Sequence, residues 1–126
     1  FLTEALRDQA EAVLALQAPS GMWHTLLDEP ESYEETSASA GLAYGLMKAA
    51  RLGLGPSSWR AAGRRAVEAL LGQIDGSGIV QGVSYGTRMG HDLQHYRDIP
   101  IQPTAYGQSL AILALVEASR DTGETT

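Results

Sequence analysis

A glutamate and a serine stand directly ahead of a helix of very small side chains, where they could contact a ligand. Glu35 and Ser37 begin the segment Glu-Thr-Ser-Ala-Ser-Ala-Gly-Leu-Ala. Side chains this small let neighbours crowd closely, which predicts an inner helix. Free backbone N–H groups and the positive end of the dipole collect at its N-terminus. Glu35 can accept a hydrogen bond from a ligand hydroxyl or a loop, or simply favour the dipole, and Ser37 can face the same cavity or cap the helix.

The polar loop Gly-Met-Trp-His, residues 21–24, offers an aromatic ring and an imidazole. Trp23 can stack on a flat ligand ring, or it can fill space against helix ends. His24 can bind a hydroxyl or a carboxylate, although a single loop histidine commonly faces solvent. Both residues are candidate ligand contacts, with these alternatives open.

Three more candidates lie in the C-terminal part of the chain. Thr87 ends the turn Ser-Tyr-Gly-Thr, in which Gly86 lets the backbone approach a ligand closely. Tyr106 and Gln108 open the last predicted helix. We expect these side chains to line the same cavity as Glu35.

Charged residues between positions 88 and 98 suggest two further chemistries. His91 and His95 have the i, i+4 spacing that can hold a metal on a helix, but no third ligand is evident, so no metal site is predicted. Arg88 and Arg97 can bind a ligand carboxylate through two hydrogen bonds. Ion pairs with Asp92 or Asp98 are the alternative for these arginines.

Four main helices are predicted to position these residues. Amphipathic patterns predict outer helices over 2–16 and 58–73, and small or wholly apolar sequences predict inner helices over 35–52 and 104–120. Residues 79–83 are expected to form a short strand. Residues 84–103 are expected to be irregular, and a loop of that length is usually functional or disordered. Ser-Ala-Gly-Leu-Ala at 39–43 and Gly-Gln-Ser-Leu-Ala at 107–111 fit a repeated αα-hairpin.

The composition bounds the class of protein. A chain of 126 residues, 44% hydrophobic and 19% charged, is one globular domain or a piece of a larger one. A net charge of −6 without any basic run argues against nucleic acid as a partner. There is no cysteine, so disulfides and thiolate metal sites are excluded. The apolar runs are too short to span a membrane and no signal peptide is visible, although we expect the natural N-terminus to precede Phe1.

Four segments in unbroken order resemble one enzyme family. They are Gly-Met-Trp-His-Thr-Leu-Leu-Asp at 21–28, Tyr-Glu-Glu-Thr-Ser-Ala-Ser-Ala at 33–40, Ser-Tyr-Gly-Thr at 84–87 and Tyr-Gly-Gln-Ser-Leu at 106–110. The chain is similar to the unsaturated glycuronyl hydrolases of glycoside hydrolase families 105 and 88. The unsaturated rhamnogalacturonyl hydrolases of family 105 are the closer match.

The resemblance implies a six-hairpin (α/α) barrel and a hydrolase that needs no metal or organic cofactor. Such enzymes remove a 4,5-unsaturated uronic acid from oligosaccharides, with an aspartic acid that protonates the double bond and assists water addition. The family's catalytic aspartate and an Arg-Gly-Asn-Gly-Trp-like motif lie upstream of the matched region. No catalytic residue is therefore assigned to this chain. The resemblance also favours a cytoplasmic location.

The sequence thus predicts an all-α chain whose four main helices form αα-hairpins from the C-terminal portion of a six-hairpin barrel. Residues 1–126 are a single domain or a C-terminal fragment. The expected partner is an oligosaccharide with an unsaturated uronic acid end, and exposed apolar helix faces are expected to support a homo-oligomer. The predicted substrate contacts are Trp23, His24, Glu35, Ser37, Thr87, Tyr106 and Gln108. The alternative is a non-catalytic helical module that binds carbohydrate or protein.

Overall fold

The computed structural model describes residues 1–120 as five α-helices joined by loops. The helices are α1 (Leu2–Ala15), α2 (Thr36–Arg51), α3 (Ser57–Leu71), α4 (Leu93–Arg97) and α5 (Ala105–Ser119). The four predicted main helices are all present, close to their expected bounds. The short helix α4 was not predicted, because five residues inside a Gly- and Pro-bordered segment carry no helical period.

No strand forms among residues 1–120, so the strand expected over 79–83 is wrong. Val80 makes only an isolated bridge to Ile74. The glycines at positions 76, 78 and 82 explain this, because residues without a side chain stabilise extended backbone poorly. Gly78 and Gly82 both adopt positive φ angles, which turn the chain away from an extended path.

Helix α2 is the centre of the described structure and packs against both α3 and α5. Ala40, Ala43 and Met47 are almost completely buried on it. Its small side chains allow close approach: a Cβ at Gly63 of α3 would stand only 3.0 Å from the carbonyl oxygen of Ala43. This crowding agrees with the predicted role of α2 as an inner helix.

Helices α2 and α5 run side by side in the same direction. At their C-terminal ends Arg51 Nε donates a hydrogen bond of 2.5 Å to Glu117 Oε1, and Glu117 is only 3% exposed. This hydrogen bond, helped by the charge of Arg51, holds the pKa of Glu117 below its ordinary value, against the opposing effect of burial. The ion pair therefore fixes one end of the helix pair, and the other end is free to form a site.

The rest of the fold supports this pair. Helix α1 lies outside and buries only Ala10 and Val13. Helix α5 buries the face made by Gly107, Ala111, Ala114 and Glu117, but leaves other apolar side chains open to solvent. None of the helices within residues 1–120 combines the length and the apolar character needed to cross a membrane.

Candidate ligand-binding site

A cavity of about 680 Å³ opens where the N-terminal ends of α2 and α5 meet the loops. Its volume lies within the range of small-molecule sites. Five of the seven predicted contact residues line it, namely His24, Glu35, Ser37, Thr87 and Tyr106. The remaining wall consists of Thr25, Leu27, Ala38, Gly41, Leu42, Ser84, Gly86, Tyr96 and Leu110.

Glu35 is the N-cap of α2 and holds the cavity together. Its carboxylate accepts a hydrogen bond from Ala38 N at 2.5 Å and from Ser84 N at 2.9 Å. The Ser37 hydroxyl lies 2.9 Å from both carboxylate oxygens and donates to them. Glu35 is 4% exposed, so these donors satisfy a buried charge. Glu35 therefore both caps the helix and accepts a hydrogen bond from a loop, which are two of the interpretations that the sequence left open.

Ser37 does not cap the helix, although capping was one of its two interpretations. The cap is Glu35, whose longer side chain reaches the free N–H of Ala38. The Ser37 hydroxyl turns instead toward the carboxylate, as a donor. It lines the cavity as a support for Glu35.

The turn that carries Thr87 is fixed by two hydrogen bonds to one tyrosine. Tyr106 Oη donates to the Ser84 carbonyl and accepts from Gly86 N at 2.9 Å. Because Ser84 N is bonded to Glu35, the turn is tied to α2 and to α5 at once. The Thr87 hydroxyl is exposed and makes no hydrogen bond to residues 1–120, so it is free for a ligand.

His24 presents one ring nitrogen for a ligand. Nδ1 lies 2.6 Å from the carbonyl oxygen of Ser32, and a carbonyl can only accept, so Nδ1 carries the proton. In the neutral ring Nε2 is then an acceptor, and it has no hydrogen-bond partner among residues 1–120. His24 lines the cavity, whereas the alternative interpretation had it facing only bulk solvent.

Trp23 and Gln108 do not line the cavity, so the structure places them apart from the other five predicted contacts. Trp23 is fully buried, and its indole N–H donates to the Val13 carbonyl at 2.8 Å, so the ring anchors the loop to α1. Gln108 uses both ends of its amide on the 78–80 loop, where Oε1 accepts from Val80 N and Nε2 donates to the Gly78 carbonyl. Their side chains are therefore occupied by the fold.

Tyr96 and Ser84 are wall residues that the sequence did not single out. Tyr96 comes from α4, the helix that carried no periodic signal, and its carbonyl accepts from Tyr33 Oη at 3.4 Å. Arg97 of the same helix pairs with Glu29 at 3.1 Å, which replaces the expected pairing with Asp92 or Asp98. These two contacts tie α4 to the loop between α1 and α2.

The cavity provides binding groups rather than an acid–base pair. Among the described residues that line it, Glu35 alone is acidic, and protein donors already occupy its oxygens. Hydrolysis of a glycosidic bond by the usual scheme needs two carboxyl groups. Within residues 1–120 no three metal-ligating side chains converge, and His95 Nε2 lies 2.9 Å from the Arg88 carbonyl.

Comparison with known proteins connects this geometry to an enzyme family. The model of Glycosyl Hydrolase Family 88 matches residues 1–122. The unsaturated rhamnogalacturonyl hydrolase YesR of Bacillus subtilis is 37% identical over 114 residues, which are 90% of this chain and 31% of that protein. The chain therefore spans about a third of the length of this relative.

Solved structures confirm the fold class. A possible member of the GH105 family from Salmonella enterica superposes with a TM-score of 0.93 at 41% identity, over 96% of this chain and 32% of that one. A family 105 glycoside hydrolase from C. acetobutylicum superposes with a TM-score of 0.85 at 25% identity, over 94% of this chain and 38% of that one. The chain thus has the all-α fold of αα-hairpins from an (α/α) six-hairpin barrel.

Proposed function

Because the chain belongs to glycosyl hydrolase family 88, we propose that it forms one wall of the substrate cleft in an unsaturated uronyl hydrolase. The substrate is an oligosaccharide from a pectin-like polymer, with rhamnogalacturonan fragments favoured by the likeness to the Bacillus subtilis enzyme. The reaction removes a 4,5-unsaturated uronic acid by hydration of its double bond.

The observation that carries the proposal is the cavity between the parallel N-termini of α2 and α5. Its lining includes an acceptor, His24 Nε2, and the hydroxyl of Thr87, and neither group has a hydrogen-bond partner among residues 1–120. Its lining also includes the apolar side chains of Leu42 and Leu110, which suit the C–H face of a sugar ring. Hydrogen-bonding groups and apolar side chains in one cavity suit a pyranose, which presents both hydroxyl groups and C–H groups.

The acid comes from outside residues 1–120 in this proposal. A carboxylic acid protonates one carbon of the double bond, and water adds to the other carbon while it returns a proton to the carboxylate. The resulting hemiketal opens and releases the remaining sugar. The described residues supply no free carboxyl group to the cavity, and the chain spans 31% of the Bacillus subtilis relative. Its contribution is to hold the substrate, which lowers the entropic cost of reaching the reactive geometry.

A hydrolysis assay on the intact polypeptide that carries this sequence tests the proposal. The absorbance of the unsaturated uronyl group should fall as substrate is consumed, and the mass of the polypeptide shows whether residues beyond these 126 are present. Absence of turnover in a polypeptide about three times this length would contradict the proposal.

A histidine variant separates binding from chemistry. In His24→Asn the amide can replace Nδ1 toward the Ser32 carbonyl, but it has no group at the position of Nε2. Losing one neutral hydrogen bond costs about 0.5–1.5 kcal/mol, so we expect KM to rise roughly twofold to tenfold with kcat little changed. His91→Asn is the matched control, because His91 is exposed and outside the cavity. Equal KM values for both variants would remove His24 from the binding role.

We also propose that α5 uses its exposed apolar face to pack against further helices. Ile112, Leu113 and Val116 are 52%, 44% and 48% exposed, a patch that favours association. Further hairpins of the same barrel, or a second copy, would cover it. Light scattering checks self-association of the 126-residue chain, and a stable, monodisperse monomer would contradict it.

A further inference from the structure

A second cavity, of about 530 Å³, lies beside the first and shares Gly86 with it. Its other lining residues are Tyr85, Arg88, His95, Asp98, Ile99 and Pro100. A Cβ built on Gly86 would meet nothing within 4 Å, so the space on the side-chain face of this residue is open. An extended ligand can therefore pass over Gly86 from one cavity into the other.

Arg88 brings to the second cavity a cation that has no partner among residues 1–120. Its guanidinium makes no hydrogen bond or ion pair with any residue of the described range 1–120. The two carboxylates expected to pair with it serve other donors: Asp92 Oδ1 accepts from His95 N at 2.9 Å, and Asp98 Oδ1 accepts from Gln94 Nε2 at 2.8 Å.

The backbone that carries Arg88 is nevertheless held in place. His95 Nε2 lies 2.9 Å from the Arg88 carbonyl, and Tyr85 N donates to the Pro100 carbonyl at 2.8 Å. Ile99, which also lines the cavity, is buried. A guanidinium on a fixed backbone presents a planar pair of donors that matches a carboxylate.

Aromatic rings frame the same space. The Tyr85 side chain is 59% exposed, although its backbone is hydrogen-bonded, so its ring face is available. His95 lies edge-on to Tyr96, a residue of the first cavity, with 5.1 Å between ring centroids. The two cavities thus form one continuous polar and aromatic surface, which is the composition that binds sugar rings.

We propose that the second cavity is a subsite for a uronic acid residue further along the oligosaccharide, whose carboxylate Arg88 binds. This inference rests on the proposed function, because it places the terminal sugar in the first cavity. It adds selectivity for substrates that carry an internal acidic sugar. In a chain of net charge −6, a cavity arginine without a partner in the described part of the chain is a specific attraction for such a group.

Three oligosaccharide probes and calorimetric titration of the intact polypeptide test the inference. The first is a disaccharide with the unsaturated uronic acid and one neutral sugar, which engages the first cavity alone. The second is a tetrasaccharide with an internal uronic acid, and the third is its internal methyl ester. We expect the free acid to bind about tenfold more tightly than the ester, because only the free acid can form charge-assisted hydrogen bonds with Arg88.

Matched variants assign that preference to Arg88. Arg88→Gln should bind acid and ester equally and leave the disaccharide affinity unchanged. Arg65→Gln makes the same change of charge on α3, outside both cavities, and should keep the tenfold preference. Arg88→Lys should restore only part of it, because an ammonium cannot form the paired hydrogen bonds.

The outcomes separate the two proposals. A wild-type protein that binds the disaccharide but does not distinguish acid from ester overturns the subsite. An acid preference that survives Arg88→Gln overturns the role of Arg88. Failure to bind the disaccharide overturns the proposed function, and the subsite with it.

Discussion

Two buried glutamates mark the two ends of the same helix pair, and they are stabilised in different ways. Glu35, 4% exposed, lies at the N-terminal ends of α2 and α5, and Glu117, 3% exposed, lies at the C-terminal ends. Neutral donors, two backbone N–H groups and the serine hydroxyls, surround Glu35. Glu117 instead faces the guanidinium of Arg51.

The difference shows which end is built for a site. An ion pair neutralises its own charges and joins two helices, so the Glu117 end holds α2 and α5 together. The neutral donors around Glu35 hold its carboxylate in place. The carboxylate in turn positions the segments that carry these donors, and one of them is the turn 84–87. We infer that Glu35 acts on ligands by positioning that turn, and that Glu117 acts on stability alone.

Glu117→Gln should have the largest effect on stability. The loss of the charged partner leaves Arg51 beside a neutral amide, and breaking a buried pair typically costs about 3–5 kcal/mol. Arg51 is 28% exposed, so we expect a loss of about 3 kcal/mol in the free energy of unfolding. Urea unfolding measures it, with Glu68→Gln on the exposed face of α3 as the control. We also expect the folded variant to keep its affinity for the disaccharide. A loss of affinity would contradict the inference that Glu117 acts on stability alone.

Glu35→Gln should cost less stability but more binding. An amide at this position places an NH₂ group against donors, so part of the charge-assisted hydrogen bonding is lost, at about 2 kcal/mol. The turn keeps its hydrogen bonds to Tyr106 but is tied more weakly to α2. We therefore expect disaccharide binding to weaken about tenfold, because the Thr87 hydroxyl is less firmly positioned. Calorimetry and urea unfolding on the same sample check both effects, with the exposed Glu31→Gln as the control. Wild-type affinity in a destabilised variant would show that Glu35 is structural only.

The smallest expected effect is a pH dependence that belongs to the Glu117 end. Arg51 lowers the folded-state pKa of Glu117 below its ordinary value of 4.5. A lowered folded pKa means that the pair stabilises the protein above the unfolded pKa, and that this stability is lost as pH falls through the folded pKa. The stability difference between wild type and Glu117→Gln should therefore shrink below pH 4.5. A difference that stays constant with pH would show that packing, and not charge, is lost in the variant.

Local pattern was sufficient to predict much of this molecule. The small-residue run after Glu35 and the apolar run before Arg120 predicted the inner helices, because side-chain size and period decide which helices can be crowded. The capping position also followed from local chemistry, since a carboxylate at a helix N-terminus meets free N–H groups wherever the helix lies. Three of the five predicted contacts that line the cavity, Glu35, Ser37 and Tyr106, do so for this reason, because they stand at helix starts. The other two, His24 and Thr87, lie in loops.

Tertiary structure alone decided which polar side chains remain free for a ligand. Trp23 and Gln108 have the right chemistry for binding, but packing directs the one to Val13 and the other to the 78–80 loop. Arg88 and Arg97 are alike in sequence, yet Arg97 meets Glu29 and Arg88 meets no partner among residues 1–120. Such differences depend on residues distant in the chain that the fold brings within hydrogen-bond range, because a hydrogen bond forms only over about 3 Å. The sequence determined the helices and the end of the helix pair where the cavity forms, whereas the distances between distant residues determined which groups that cavity offers.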